Sequence, residues 1–238
     1  MYKKCYAIRL GNNKYKIHLW DEGGYDEIEW HNTAHQECDE KHSTHIGTKG
    51  EYLKKIYKWD KNTPNLHFHD MKPHQKYLIE KYGTNDTPSK GHKELFFDIE
   101  CEIGGALTEE YIERAPMPIT TIAYWDKESD YWVILVRDDK NDLKRTKAKN
   151  KEIVPCRTEK ELLAKFLERF REIDPDILIG YNSDFFDIPY LYYRMCNVLG
   201  KEWADQLSPL GKVNAKKNNQ YFFKRNQFVD IIGVESLD

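Results

Sequence analysis

Apolar and polar positions alternate along most of this chain, and the period changes from that of a strand to that of a helix at a few places. Tyr6, Ile8 and Leu10 alternate, then Tyr15, Ile17 and Leu19, then Ile28 and Trp30, with Gly11-Asn12-Asn13 and Gly23-Gly24 between the runs. Side chains two residues apart share one face of a strand, so the first thirty residues predict a small antiparallel β-meander. Tyr52 to Trp59 and Leu66 to Asp70 read as two more strands around the turn Asn62-Thr63-Pro64, and Pro73 opens a helix through Tyr82 that stops at Gly83. Residues 84–92, TNDTPSKGH, are turn formers without apolar periodicity and mark a domain boundary near residue 90. Past it, Glu94 to Ile103, Ile119 to Trp125 and Tyr131 to Val136 read as strands, the last two joined by Asp126 to Asp130. Arg137 to Lys151 carries mixed charge and reads as a solvated loop whose lysines are free to touch phosphates.

The helical period returns at Leu162, Leu163, Phe166, Leu167 and Phe170, behind a capping box of Thr158 and Glu161. Asp174-Pro175-Asp176 breaks that helix, Ile177-Leu178-Ile179 is a short buried strand, and a second helix runs from about Asp187 to Leu199, ending at Gly200. Three strands, helix, strand, helix is the order of a ribonuclease-H-like α/β domain, although periodicity alone permits other α/β folds. The expectation is a smaller β-rich domain over residues 1–90 and an α/β domain over 91–238.

Composition narrows the setting. The 238 residues suffice for one large or two modest domains with a real core. A net charge of −3 with 32% charged residues gives no global basic excess, so nucleic-acid contact would have to rest on local patches. The five cysteines are scattered and suggest no disulfide framework, which suits a reducing compartment. No apolar run approaches the length of a membrane span, and the N-terminus lacks the apolar core of a signal peptide. The expectation is an intracellular, cytoplasmic protein with no membrane partner.

Three groups of residues carry candidate chemistry. In ELFFDIECEI (94–103), Leu95, Phe97, Ile99, Cys101 and Ile103 take one strand face and Phe96, Asp98, Glu100 and Glu102 the other. Asp98 and Glu100 are therefore about 6.5–7 Å apart along the strand. That separation lets them reach toward two ions about 3.5–4 Å apart, as in two-metal phosphoryl transfer; a solvated acidic face gives the same pattern. The loop GYNSDFFDIPY (180–190) places Asp187 at a helix start, where unpaired N–H groups and the helix dipole favour an ionised carboxylate, as a metal ligand or as an ordinary cap. Both stretches fall where ligands collect in open α/β sheets. Third, His31, His35, Cys38, His42 and His45 recur every three or four residues and would share a helix face as a zinc site. A single cysteine without C-x2-C spacing favours a polar, exposed helix or loop there.

FFDIE at 96–100 resembles the first exonuclease motif of family B DNA polymerases, and GYNSDFFDIPYL at 180–191 resembles the second, whose core is Asn, a short spacer, an aromatic and Asp. The stretch 66–82 resembles the strand and helix that precede the exonuclease domain in that family, and VDIIGVESLD (229–238) a strand that follows the second motif in phage T4-like members. The similarity touches most of the chain from about residue 50. It implies an N-terminal domain followed by a 3′→5′ proofreading exonuclease domain of a replicative polymerase. Two divalent ions, Mg²⁺ or Mn²⁺, would be held by Asp98, bridging both, by Glu100 at the ion that activates water, and by Asp187 at the other. Asn182 and Phe186 would position the single-stranded 3′ end of a primer-template. Phe96, on the carboxylate face, is open to stacking a base or packing on a neighbour, Tyr181 reads as a core or rim aromatic, and Glu102 as solvated. The partners implied are DNA and the remainder of the polymerase, in cis or in trans; for a phage-encoded member the setting is the bacterial host's cytoplasm.

One departure bears on activity. The family's third exonuclease motif, Tyr-x-x-x-Asp on a later helix, does not occur after Asp187, nor does any polymerase palm motif. Tyr82 to Asp86 has the spacing but precedes the first motif in a turn-rich linker. The expectation is the N-terminal part of a polymerase, truncated or encoded as a separate piece, with three of four metal-binding carboxylates and weak or absent nuclease activity on its own. The alternative is a non-catalytic nucleic-acid-binding or assembly module of a split or truncated polymerase. Lys212, Lys216, Lys217, Lys224 and Arg225 form either a phosphate-contacting loop or a solvated polar hairpin.

Overall fold

The computed structural model describes residues 1–60, 62–102, 104–217 and 227–238, in two units, Met1–Lys90 and Gly91–Asp238. In the first, β1 (Tyr2–Gly11), β2 (Lys14–Asp21) and β3 (Gly24–His31) form the meander. The β1–β2 turn needs two left-handed residues, and Asn12 (φ 47°) and Asn13 (φ 60°) supply them, as asparagine tolerates that conformation. Ile17 and Leu19 are fully buried against Cys5 and Tyr77.

Then follow β4 (Ala34–Glu37), a 3-10 turn at Glu40–His42, β5 (His45–Ile46), β6 (Tyr52–Ile56) and β7 (Leu66–His67), in a sheet of order β5-β6-β4-β7. The histidine-rich stretch is thus strand, turn and strand, and its ligand types do not share a helix face. His35 and His45 pack edge to face at 4.6 Å between ring centroids instead. β7 ends earlier than its apolar pattern suggests because Phe68 turns to φ 58°. Helix α1 (Pro73–Tyr82) has Pro73 in its first turn and stops at Gly83, φ 58°. Its Glu80 accepts hydrogen bonds from Trp30 Nε1 at 2.9 Å and Lys55 Nζ at 3.0 Å, tying both sheets to the helix.

The second unit begins with β8 (Glu94–Cys101), followed by α2 (Glu109–Arg114), β9 (Ile119–Asp126), β10 (Tyr131–Arg137), β11 (Thr146–Lys147), β12 (Lys151–Cys156), α3 (Glu159–Ile173) and β13 (Ile177–Ile179). The chain continues through α4 (Asp187–Val198), α5 (Lys201–Ala204), the antiparallel pair β14 (Val213–Lys217) and β15 (Gln227–Ile231), and β16 (Glu235–Leu237). Seven strands form a mixed sheet in the order β11-β12-β10-β9-β8-β13-β16, which centres the acidic strand. This is the mixed α/β architecture that the element order predicts.

Thr158 Oγ1 accepts the Glu161 N–H at 3.1 Å, and the Glu161 carboxylate returns to Arg157 N at 2.8 Å. Such a cap contributes about 1 kcal/mol, less than any one of the five buried α3 side chains at about 1.5–3 kcal/mol, so packing against the sheet holds this helix. The charged run after Arg137 is not all loop. It contains β11 and leads into β12, whose inward face carries Glu152, 4% exposed and paired with Arg145 at 2.7 Å, while Ile153 points outward. That inversion hides a strand. The expected strand at 229–238 is two, because Gly233 (φ 98°) turns the chain between β15 and β16. Lys212 is exposed ahead of β14; Lys224 and Arg225 lie outside the described residues, as does Ile103.

Candidate active site

β8 buries Leu95, Phe97 and Ile99 at 0%, 5% and 5% exposure and leaves Asp98 and Glu100 exposed on its other face. On one flank it pairs antiparallel with β9 through Cys101; on the other, parallel β13 reaches only to Phe96. Beyond Phe96 the ladder edge of β8 therefore needs other acceptors. Asp187, the first residue of α4, provides one: its Oδ1 accepts the Ile99 N–H at 3.1 Å. A backbone group midway between Asp98 and Glu100 thus fixes the third carboxylate next to them.

The connecting loop is built to make that reach. A Cβ on Gly180 would lie 2.8 Å from Ser183 Cβ and 3.0 Å from the Phe97 carbonyl oxygen, so only glycine lets the loop pass this close to β8. Asn182 turns left-handed at φ 55°, and its carbonyl accepts the N–H groups of Phe185 and Phe186, each at 3.2 Å. Ser183 is fully buried, donates its N–H to Asp238 Oδ1 at 2.9 Å and accepts Ile188 N at its carbonyl at 2.9 Å. Ser236 of β16 donates to Asp184. The last strand of the sheet therefore clamps the loop that carries Asp187.

Electrostatics here differ from the sequence expectation. Asp187 is 5% exposed, and burial lifts its carboxyl from the ordinary range to about 6; the Ile99 N–H opposes that shift, and the charges of Asp98 and Glu100 add to it. Desolvation outweighs the helix N-terminus at this position. The hydrogen bond to Ile99, the residue between Asp98 and Glu100, puts Asp187 beside the carboxylate face of β8. Carboxylate oxygens suit hard divalent ions such as Mg²⁺ and Mn²⁺, so donor type and charge fit, although among the described residues no three His, Cys, Asp or Glu side chains converge into a ready-made ligand cage.

The other candidates take separate places. Phe186 is partly buried and stacks on Tyr190 at 5.3 Å. Tyr190, itself fully buried, donates its hydroxyl proton to Met117 O at 2.8 Å and accepts Met117 N–H at 3.1 Å. Asn182 is exposed. Phe96 packs on Trp125 at 5.0 Å. Tyr181 is 95% exposed, so it is no core aromatic, and Glu102 is paired with Arg137 at 2.9 Å instead of being simply solvated. Sequence reasoning passes over Gly180, Ser183 and Asp238; the one available signal is the pair of small residues three apart ahead of Asp187.

With this geometry in view, comparison with known families is decisive: residues 42–238 match the family described as DNA polymerase family B, exonuclease domain. The chain belongs to that family. It is 36% identical over 85 residues to the DNA-directed DNA polymerase of Escherichia phage RB69, covering 36% of this chain and 9% of that protein. It is 37% identical over 123 residues to a DNA polymerase of Pyrococcus glycovorans, covering 50% and 14%. To DNA polymerase 1 of Pyrococcus abyssi it is 33% identical over 152 residues, covering 61% and 16%. The matched part is less than a fifth of each of these relatives. The carboxylate strand and the Asp187 loop both lie inside the matched span of this family B exonuclease domain.

Proposed function

We propose that this chain is the proofreading exonuclease part of a replicative family B DNA polymerase, with Asp98, Glu100 and Asp187 as its metal-holding catalytic carboxylates. The observation that carries the reading is the Asp187 Oδ1 to Ile99 N–H bond, which joins the two sequence motifs at the residue between Asp98 and Glu100. When bound, two Mg²⁺ or Mn²⁺ ions would supply charge stabilisation at the attacking and leaving oxygens of a 3′-terminal phosphodiester. Asp98 and Glu100, exposed, meet the substrate side; Asp187, buried, holds its position through the Ile99 N–H and must lose its proton to serve as a ligand. Asn182 and Phe186 hold the loop and border the path of a single-stranded 3′ end, and Phe96 offers an aromatic face beside it. DNA is the substrate, and the remainder of the polymerase, in cis or in trans, is the partner that supplies further carboxylate and DNA-holding groups. DNA as the substrate is what supports the cytoplasm as the compartment. Among the described residues no helix is long and apolar enough to cross a membrane.

The test is degradation of a 5′-labelled primer with a mismatched 3′ end, in Mg²⁺ and in Mn²⁺, by the 238-residue chain and its Asp98→Ala variant. At most slow shortening from the 3′ end, abolished by Asp98→Ala, supports the reading. Efficient shortening by the isolated chain would show that three carboxylates suffice. Cleavage that Asp98→Ala leaves intact would overturn the site.

A further inference from the structure

The face of the sheet that carries Asp98 and Glu100 continues past Phe96 into a pair of tryptophans that the exonuclease reading does not use. Strand register places Phe96 beside Trp125, Trp125 beside Trp132, and Trp132 beside Lys151, all on the carboxylate face and one pleat from Asp98. Phe96 and Trp125 pack at 5.0 Å, and Trp125 and Trp132 stack at 5.1 Å with planes 9° apart. The Trp125 indole is fixed by a hydrogen bond to Asp130 Oδ1 at 3.1 Å. Trp132 remains 49% exposed, and Ile134 and Ile153 are exposed on the same face. Exposed apolar side chains grouped on one face of a charged protein point to an interaction site.

Charge beside the row identifies the partner. From Lys140 to Lys151 the chain holds six basic residues and one acidic residue, Asp142. Arg145 is committed to Glu152, which leaves five exposed lysines, Lys140 and Lys144 in the loop before β11 and Lys147, Lys149 and Lys151 at the β11–β12 turn, with Lys151 in register with Trp132. The turn Asp126 to Asp130, with three acidic residues and one lysine, adjoins the Trp125–Trp132 pair at the same end of β9 and β10, so phosphates are favoured on the β11–β12 side of the row, where the lysines lie. Stacked aromatics bordered by lysines are the elements of sequence-tolerant single-strand recognition.

We propose that this face is a binding track for single-stranded DNA, with a base stacking on the exposed Trp132, which Trp125 buttresses, and phosphates meeting Lys149 and Lys151. The track deepens the exonuclease reading and rests on it for the choice of DNA: it would hold the unpaired strand two to three strand spacings, roughly 10–14 Å, across the sheet from the carboxylate strand.

The experiment is fluorescence anisotropy of a labelled oligothymidylate with the 238-residue chain in EDTA, where hydrolysis is off. Trp132→Ala is expected to weaken binding about tenfold or more, Trp132→Phe to retain most of it, and Lys149→Glu with Lys151→Glu to weaken binding and flatten its salt dependence. Trp203→Ala, an exposed tryptophan on α5, is expected to bind as the parent does. Unchanged binding in Trp132→Ala would overturn the proposal, as would equal affinity for duplex and single strand. Self-association in sedimentation that Trp132→Ala abolishes, without DNA binding, would assign the face to a second copy instead. Circular-dichroism melting of each variant separates loss of binding from loss of folding. Metal calorimetry of Asp98→Ala reads the carboxylate site separately, so loss of the track with metal binding intact, or the reverse, tells which reading has failed.

Discussion

Replacing Asp187 by Asn removes a charge from a nearly buried position and leaves an oxygen that can still accept the Ile99 N–H. The carboxyl rises from 3.8 to about 6 in the folded chain, and at 1.36 kcal/mol per unit the ionised form costs about 3 kcal/mol of stability. The sign follows from linkage. The folded carboxyl holds its proton to higher pH than the unfolded one, so stability is complete below about pH 4, falls as pH rises toward 6, and stays low above it. In EDTA, Asp187→Asn is therefore expected to melt higher than the parent at pH 7–8, by about 6–12 °C for a chain of this size, and to match it near pH 4. Because the comparison is between two chains at each pH, the titrations of groups not coupled to Asp187 cancel, leaving those of Asp187 and its neighbours Asp98 and Glu100. Mg²⁺ is expected to stabilise the parent by binding only the folded state and to leave the variant unmoved. The assay is thermal melting by circular dichroism across pH with and without Mg²⁺. A variant destabilised equally at every pH would refute the reasoning, since it would mean that the carboxylate contributes through its hydrogen bond and not through a desolvated charge.

Two further substitutions probe the surroundings. Gly180→Ala forces a Cβ to within 2.8 Å of Ser183 and 3.0 Å of the Phe97 carbonyl; a loss of about 1–3 kcal/mol in urea unfolding, with weaker Mg²⁺ stabilisation, is expected, and an unaltered midpoint would show that the loop can back away freely. Glu159→Ala strands the largely buried Arg194, which meets that carboxylate at 2.7 Å through both Nε and Nη2, and also leaves the Ile119 N–H without its acceptor. A loss of about 3–5 kcal/mol is expected by denaturant titration, and a change below about 1 kcal/mol would mean that the guanidinium finds other acceptors besides the Ala115 and Pro116 carbonyls.

The parts of the fold that were legible in the sequence are those whose burial follows periodicity. β8, β9, β10, α3 and α4 each place apolar residues at the expected spacing on the buried face, whereas α1 was legible from Pro73 and Gly83, since it buries Lys76 beside Tyr77 and exposes Ile79. β12 was hidden because a glutamate points inward and an isoleucine outward, which a paired buried charge permits and a hydropathy pattern cannot show. The histidine-rich stretch misled for a related reason: spacing of three and four suggests a helix, but local pairing of β4 with β6 fixed it as strand. At the candidate site the residue types were readable and the forces on them were not. Asp187 looked stabilised as an anion because its place at a helix start is a local property, whereas its upward shift comes from desolvation by packing between β8 and α4 and from the charges of two acidic neighbours distant in sequence. Trp125 and Trp132 looked like ordinary strand aromatics until register set them in one row.

The central claim is that Asp98, Glu100 and Asp187 act as one divalent-ion site. Titration calorimetry with Mn²⁺ on the parent chain, Asp98→Ala, Glu100→Ala and Asp187→Asn at pH 7.5 tests it most directly. The account predicts saturable binding by the parent and its loss or marked weakening in all three variants, each with the fold retained by circular dichroism. Binding that survives unchanged in Asp98→Ala and Glu100→Ala would contradict it.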